Sequence, residues 1–476
     1  MSNLDHKPER TLTVFALVMI TTGIITSIHG APSMAYYGFS LVFIYLVVAL
    51  VFLLPSALIS AELATGWPED GGVYVWVKEA FGERLAFVAV WQQWIENVIW
   101  FPSILTVTVV SACYGFAPEV ADNKVFIFVA VNGVFWSLTL SNLLGMRTSG
   151  MVASVCTIFG RILPILFMFG MALLFLSKGN LSNAAFTWDN FIPDLGDTGK
   201  LSFIVGAFLT FAGIEASASN AASAKNPRRN YPIAIITSAA IALVLVTLIA
   251  LSIAIVLPAD QIKLDAGIMQ AIHTMLEQQG MIWLFPVAGL VIALGMLGEI
   301  NNWIPAPTRG LLVAGRDGVL SKYWQRENKH AVHWRILVYQ AILFSAISTI
   351  YLFMDSVQDA FWLMNVVPTM LYIIMYILMF STGVKLRYSH PEVPRRYRVP
   401  FGNVGIWLLA SIGTIAGLVA IAFAFIPPKM VIDHGASVSY LSVVTCGFIV
   451  LSVLPFVIYT MRRPEWRTAD EESVPE

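Results

Sequence analysis

Four ionisable side chains interrupt otherwise apolar runs: Glu96 in WQQWIENVIWFP, Arg161 in IFGRILP, Glu215 in FAGIEASASN and Glu299 in LGEINNWIP. A charge within a bilayer costs at least ~2.5 kcal/mol on insertion scales, and such residues usually mark a pathway or a binding site. Three acids and one base in this setting can pair with one another, relay protons or balance a charged ligand. An acid can enter the bilayer in its neutral form, whereas arginine keeps its proton, so Arg161 requires an acid, carbonyls or a water cavity. Blander readings stand beside these. Glu215 can be a hydrogen-bonded acid at a helix contact, Asn97, Asn301 and Asn302 can simply join helices, and Trp303 can be ordinary packing.

The elements that must carry these groups are membrane spans. The 476 residues are 58% hydrophobic and 12% charged, about half the charge of an ordinary soluble chain. At ~20 apolar residues per span, about twelve spans are expected, at 11–37, 39–62, 85–113, 125–144, 150–176, 201–222, 232–257, 281–306, 335–353, 359–381, 404–427 and 438–460. Most Lys and Arg, among them Lys225, Arg228, Arg229 and the basic runs 309–335 and 385–398, fall on one side of this arrangement. The opposite loops hold Lys124, Lys178, Lys200, Lys263 and Lys429. The positive-inside rule then places both termini in the cytoplasm of a multi-pass protein of the cytoplasmic (inner) membrane. The tail after Tyr459 ends acidic and reads as disordered.

Two spans are interrupted at corresponding places. The first contains Thr26-Ser27-Ile28-His29-Gly30-Ala31-Pro32, and the sixth contains Phe211-Ala212-Gly213-Ile214-Glu215 within the stretch Phe208 to Pro232. Paired interruptions point to an inverted-repeat transporter with a site near the midplane. An unwound helix in a membrane leaves backbone groups that only protein or a cavity can satisfy. Those groups, with the half-helix ends, can bind a carboxylate at the N-terminal side and an ammonium at the carbonyl side. Two simple kinks are the alternative. The expected fold is therefore an all-α polytopic membrane protein with a five-plus-five inverted repeat (11–176 and 201–381), broken first and sixth helices and two further helices (404–460). Residues 1–10 and 461–476 are left as cytoplasmic ends.

Other classes fit less well. The run from Gly310 to Gly315 lacks the Lys and Ser/Thr of a phosphate-binding loop, and no hydrolase or metal motif occurs. No enzyme activity, cofactor or metal is expected. Cys113, Cys156 and Cys446 lie in apolar runs and suggest no disulfide framework. A formal net charge of −1 argues for no particular partner, and nucleic acid is not expected. A channel would favour repeated pore-lining rings, whereas these polar residues are single.

The segments FAGIEASASNAASAKNPRRNYPIAI, SIAIVLPADQIKLDAGIMQAI and EINNWIPAPTRGLLVAGRDGVL resemble the amino acid–polyamine–organocation superfamily, and look most like its glutamate/GABA antiporter branch, over about residues 10–460. The resemblance implies a twelve-span inverted-repeat fold and exchange of amino acids or their amines by alternating access. It implies a proton-linked gating role for Glu215, a substrate contact at Asn97 and an aromatic stacked over substrate at Trp303. Arg161 falls where similar sodium-independent proteins carry a fifth-span Lys that stands in for a sodium ion. The chain departs from the pattern at Thr26 to Gly30, where a histidine enters the Gly-rich turn, at Leu209, where a gating aromatic stands in similar arginine exchangers, and at Glu96, which replaces a small residue. It also lacks the histidine-bearing C-terminal plug of the branch it most resembles.

The resulting expectation is a secondary active transporter of an amino acid or related amine, an antiporter, with proton symport as the runner-up and a channel-like or sensing protein as the reading from another class. Its binding residues are Thr26, Ser27, Ile28, His29, Gly30, Asn97, Phe211, Ala212, Gly213, Ile214 and Trp303. Glu215, Arg161, Glu96 and Glu299 are its coupling and gating residues. Its partners are the small-molecule substrate, the lipid bilayer and protons.

Overall fold

The computed structural model describes residues 13–468 except 70, 146–156, 195, 221–226, 331, 355, 434 and 436. Lys225 and Asn226 of the basic turn, together with Lys7, Arg10, Arg147, Cys156 and the last residues of the tail, lie outside the described residues. Those described are helical, with no strand among them. Eleven helical segments are long and apolar enough to cross a membrane. The remaining span is the first, and it is broken.

Its first half is α1 (Val14–Ile25), capped by Thr13 Oγ1, which accepts from the Ala16 N–H at 3.2 Å. The ladder ends where Thr26 N donates to Thr22 O and resumes where Ala31 N donates to Ile28 O. There α2 (Ala31–Ala35) begins, with Pro32 in its first turn, where no amide proton is needed. The sixth span breaks likewise: α8 (Ile204–Phe211) stops at Ala212 and Gly213, and a 3₁₀ turn continues from Ile214 to Asn220. Gly213 has φ +103, a conformation that excludes other residues without strain. Both interruptions expected from the sequence are present.

Around them run α3 (Ser40–Gly66), α5 (Glu83–Cys113), α6 (Lys124–Leu143), α7 (Ile158–Ser177), α9 (Pro227–Val256), α11 (Phe285–Trp303), α13 (Trp334–Phe353), α14 (Val357–Ser389), α15 (Gly402–Ala424) and α16 (Ser437–Thr460). The short helix α4 (Val73–Phe81) precedes α5, and α12 (Ala306–Arg316) prolongs α11. α5 and α14 lie along one another at the centre, buried over most of their length. A helix apolar on all sides is buried or faces lipid; these two are buried. α6, α15 and α16 instead expose Leu140, Leu418 and Val450, as spans bathed in lipid do.

One crossing matters for the site. Gly160 on α7 and Gly295 on α11 meet backbone to backbone, so that a Cβ on either would collide with the other chain segment. Small residues allow such close approach between membrane helices. The approach brings Arg161 to Glu299, one helical turn beyond Gly295.

The two ends differ. At one, the 257–280 connection holds a helix, α10 (Gly267–Gln278), packed on α2. Lys263 pairs there with Asp122 at 2.8 Å, and Asp265 is buried. At the other end Glu62 of α3 accepts from Arg387 Nε at 2.7 Å and from the Val399 N–H at 2.7 Å, with Arg395 Nε 3.5 Å away. The basic 316–334 connection is anchored: Arg316 pairs with Glu327 at 3.0 Å, and buried His333 contacts Thr308 Oγ1 at 2.6 Å. The tail corrects the sequence reading of disorder as far as Thr468. Arg467 Nη2 pairs with Glu83 at 2.5 Å, and Thr468 N donates to Arg316 O at 3.0 Å. Two arginines, Arg462 and Arg467, share Glu83, an attraction that composition alone does not disclose.

Candidate functional site

The two breaks face α5, α11 and α14 across a cavity of about 30 Å³. Its lining includes Ser27 and His29 from the first break, Ala212 from the second, Glu96, Asn97 and Trp100 from α5, Glu299 and Trp303 from α11, and Tyr372 from α14. A water needs ~10–15 Å³ of such volume, so the present space suits about two waters or one polar head group. A whole amino acid requires the walls to part.

Glu215 is 2% exposed and sits just past the break at Gly213. Its Oε1 accepts from Gln93 Nε2 at 2.9 Å and from Tyr372 Oη at 2.6 Å, and its Oε2 accepts from Tyr376 Oη. Tyr376 Oη also accepts from the Gly213 N–H at 2.6 Å. One phenol therefore satisfies the amide freed by the break and holds the acid beside it, the compensation that irregular backbone in a membrane demands. The Trp303 ring covers the same spot: a Cβ on Gly213 would lie 2.9 Å from it.

Glu215 does not line the cavity with the other acids. It lines a second space of about 70 Å³, with Gln93, Ala216, Trp303 and Arg309. Trp303 borders both spaces, and Tyr372 lines the first while donating to Glu215. These two side chains form the partition between them. Across it runs a chain of contacts: Asn97 Nδ2 donates to Glu96 Oε1 and, at 2.9 Å, to the Gln93 carbonyl, while the Gln93 amide donates to Glu215.

Arg161 is 4% exposed and has two anchors: it donates to the Gly23 carbonyl at the end of α1, and Nη2 lies 2.6 Å from Glu299 Oε2. The latter is a close ion pair without an aligned hydrogen bond. It ties α1, α7 and α11 together. In the first break His29 Nδ1 lies 2.7 Å from Ser27 Oγ, and Nε2 lies 3.0 Å from both Trp100 Nε1 and Asn365 Oδ1. The indole can only donate and the Asn365 amide oxygen, whose nitrogen donates to Phe361 O, can only accept, so Nε2 serves one of them at a time: it accepts from Trp100 in one tautomer and donates to Asn365 in the other.

The structure thus brings Ser27, His29, Glu96, Asn97, Ala212, Glu299 and Trp303 to one cavity. Thr26, Ile28, Gly30, Phe211, Gly213 and Ile214 shape the breaks without lining it, and Phe211 packs edge-on against Tyr45 at 5.5 Å. Sequence reasoning missed Gln93, Trp100, Asn365, Tyr372 and Tyr376. Gln93 was available as the residue one turn before Asn97, and the tyrosines as a pair four apart on one helix face. Among the described residues no group of three or more His, Cys, Asp or Glu could hold a metal.

Residues 12–450 match the amino acid permease family. An uncharacterized transporter of Legionella pneumophila is 37% identical over 430 residues, covering 90% of this chain and 92% of that protein. The glutamate/gamma-aminobutyrate antiporter of Lactococcus lactis (strain IL1403) is 28% identical, covering 98% of this chain and 93% of the relative. A probable agmatine/putrescine antiporter of the same organism is 22% identical, covering 93% of each.

Proposed function

This chain belongs to the amino acid permease family, a family of transporters rather than enzymes, and on that premise we propose that it is an antiporter that exchanges an amino acid or related amine across the cytoplasmic membrane by alternating access. The observation that carries the reading is the pair of breaks, at residues 26–30 and 212–213, facing one small cavity lined in part by polar side chains. A site too small for its ligand must open to bind it, and opening to either side in turn is transport. In this reading the two halves, 11–176 and 201–381, move against each other. Both termini and the basic loops face the cytoplasm, where the excess of Lys and Arg belongs.

The roles follow from position. Backbone around Ser27 to Gly30 and Phe211 to Ile214, with Ser27, His29 and Asn97, holds the substrate's amino and carboxylate groups, and Trp303 covers it. Glu215 couples protons to opening, because its partners Tyr372 and Tyr376 belong to another helix and separate from it when the broken span tilts. The relatives that are antiporters support exchange.

Counterflow tests the reading. Purified protein in proteoliposomes preloaded with unlabelled amino acids should take up labelled substrate saturably, and only when the inside is loaded. Uptake into empty vesicles driven by a proton gradient would replace antiport with symport, and unsaturable flux would indicate a channel.

A further inference from the structure

We propose that Glu96 is the counter-ion of a substrate ammonium, so that the cavity between the two breaks selects a compound of net positive charge. The inference rests on the transporter reading and narrows its substrate class. It comes from accounting for each charge around the cavity. Glu299 is matched by Arg161 at 2.6 Å. Glu215 lies behind the partition and is held by three neutral donors, Gln93, Tyr372 and Tyr376. Glu96 lines the cavity itself at 2% exposure, accepts a hydrogen bond from the neighbouring Asn97 amide, and makes no ion pair among the described residues. Among the described residues no Lys or Arg lines that cavity. An acid buried without a cation is unfavourable unless something neutralises it. Either a proton or a ligand's positive group must do so.

The surroundings suit the second. Trp100, Trp303 and Tyr372 line the same cavity, and aromatic faces attract a desolvated ammonium. A second carboxylate on the ligand would meet Glu96 with no arginine or lysine to receive it. When an ammonium enters, the proton on the Glu96 carboxyl passes to water and the resulting carboxylate pairs with the ligand. Each cation bound therefore displaces about one proton.

The test uses the full chain in proteoliposomes with three probes: putrescine as a cation, 4-aminobutyrate as a zwitterion and glutamate as an anion. The wild-type protein should show its lowest KM for putrescine and its highest for glutamate. Glu96→Gln should cut the preference for putrescine over 4-aminobutyrate at least tenfold, and Glu96→Asp should restore part of it, which a merely structural role would not do. A wild-type protein that exchanges 4-aminobutyrate or glutamate and ignores putrescine overturns the inference while leaving the transporter standing. So does a Glu96→Gln variant that keeps the wild-type preference. Failure of the wild type to exchange any amino compound sinks the transporter reading, and this inference with it. Should Glu96→Gln not fold, the wild type still decides the matter: putrescine added in weakly buffered solution must release protons from the protein, and binding without release overturns the assignment.

Discussion

Glu215 and Arg161 are both buried charges, yet their surroundings ask different things of them. Glu215 is held by hydroxyl and amide donors that can let go: Tyr372, Tyr376 and Gln93 are neutral, and two of them sit on α14. A carboxyl whose wetting changes as these contacts open and close titrates differently in the two states, and pH then shifts their populations. Each unit of difference is ~1.4 kcal/mol, about tenfold in a balanced equilibrium. Glu215→Gln keeps the volume, and the tyrosine hydroxyls can turn to accept from the new amide. It should fold normally and flatten the pH profile of exchange; a wild-type profile would make Glu215 a structural acid and move attention to Glu299. Arg161 by contrast has a full opposite charge 2.6 Å away. Arg161→Ala would leave Glu299 buried without its partner, at a cost of about 3–5 kcal/mol. Thermal unfolding of the detergent-solubilised protein should show that loss, and Arg161→Met combined with Glu299→Gln should recover most of it. Equal stability of the single and double variants would contradict the pairing.

At the scale of elements, the helices that carry the site were largely legible and their mutual contacts were not. The breaks could be read because Gly30 and Pro32 in one apolar run and Gly213 in another stand at corresponding places; a Gly or Pro alone does not end a helix, since α5 runs through Pro102 and α14 through Pro368. Tyr372 and Tyr376 were harder to read, because in an apolar span an aromatic ring that reaches a polar partner reads like one that packs, and only their spacing on one helix face set them apart. Glu62 looked like the last polar residue of a span; its partners Arg387 and Arg395 lie far along the chain and only folding unites them. The 257–280 connection hides a similar case. Asp265 is 1% exposed, and burial pushes its carboxyl up to about 6, with Lys263 opposing that shift and Asp122 adding to it. The folded protein then holds this proton more tightly than the unfolded chain, whose aspartates titrate near ~3.9. The stabilisation is complete below that value and is lost as pH rises through about 6, a loss of ~3 kcal/mol for two units. Asp265→Asn should abolish this component, so the difference in Tm between variant and wild type should widen from pH 4 to pH 7. A constant difference would show that Asp265 finds water or a cation in the folded state.

For the whole molecule the question is what holds the moving and the standing parts in register while a ligand is exchanged. Arg161 joins three of them: α7 that carries it, α1 through the Gly23 carbonyl, and α11 through Glu299. The junction is tight because Gly160 and Gly295 let α7 and α11 touch. If the resemblance carries over to this site, the guanidinium bonded to the carbonyl at the end of α1 would supply the positive charge that a bound ion brings in the sodium-driven proteins of that superfamily. A covalently attached cation cannot be exchanged with the medium, so a sodium gradient has no purchase on the cycle through this point. Exchange measured with choline or potassium in place of sodium should therefore proceed within about twofold of the rate in sodium, because the states connected by the cycle bind sodium equally or not at all and its gradient cannot bias them. Gly295→Val provides the matching structural perturbation. It forces α7 and α11 apart at a cost of about 1–3 kcal/mol, loosens the Arg161–Glu299 pair, and should slow exchange without introducing a sodium requirement. A rate that rises in proportion to the sodium gradient in the wild type would return Arg161 to a purely structural role and place the driving ion elsewhere in the fold.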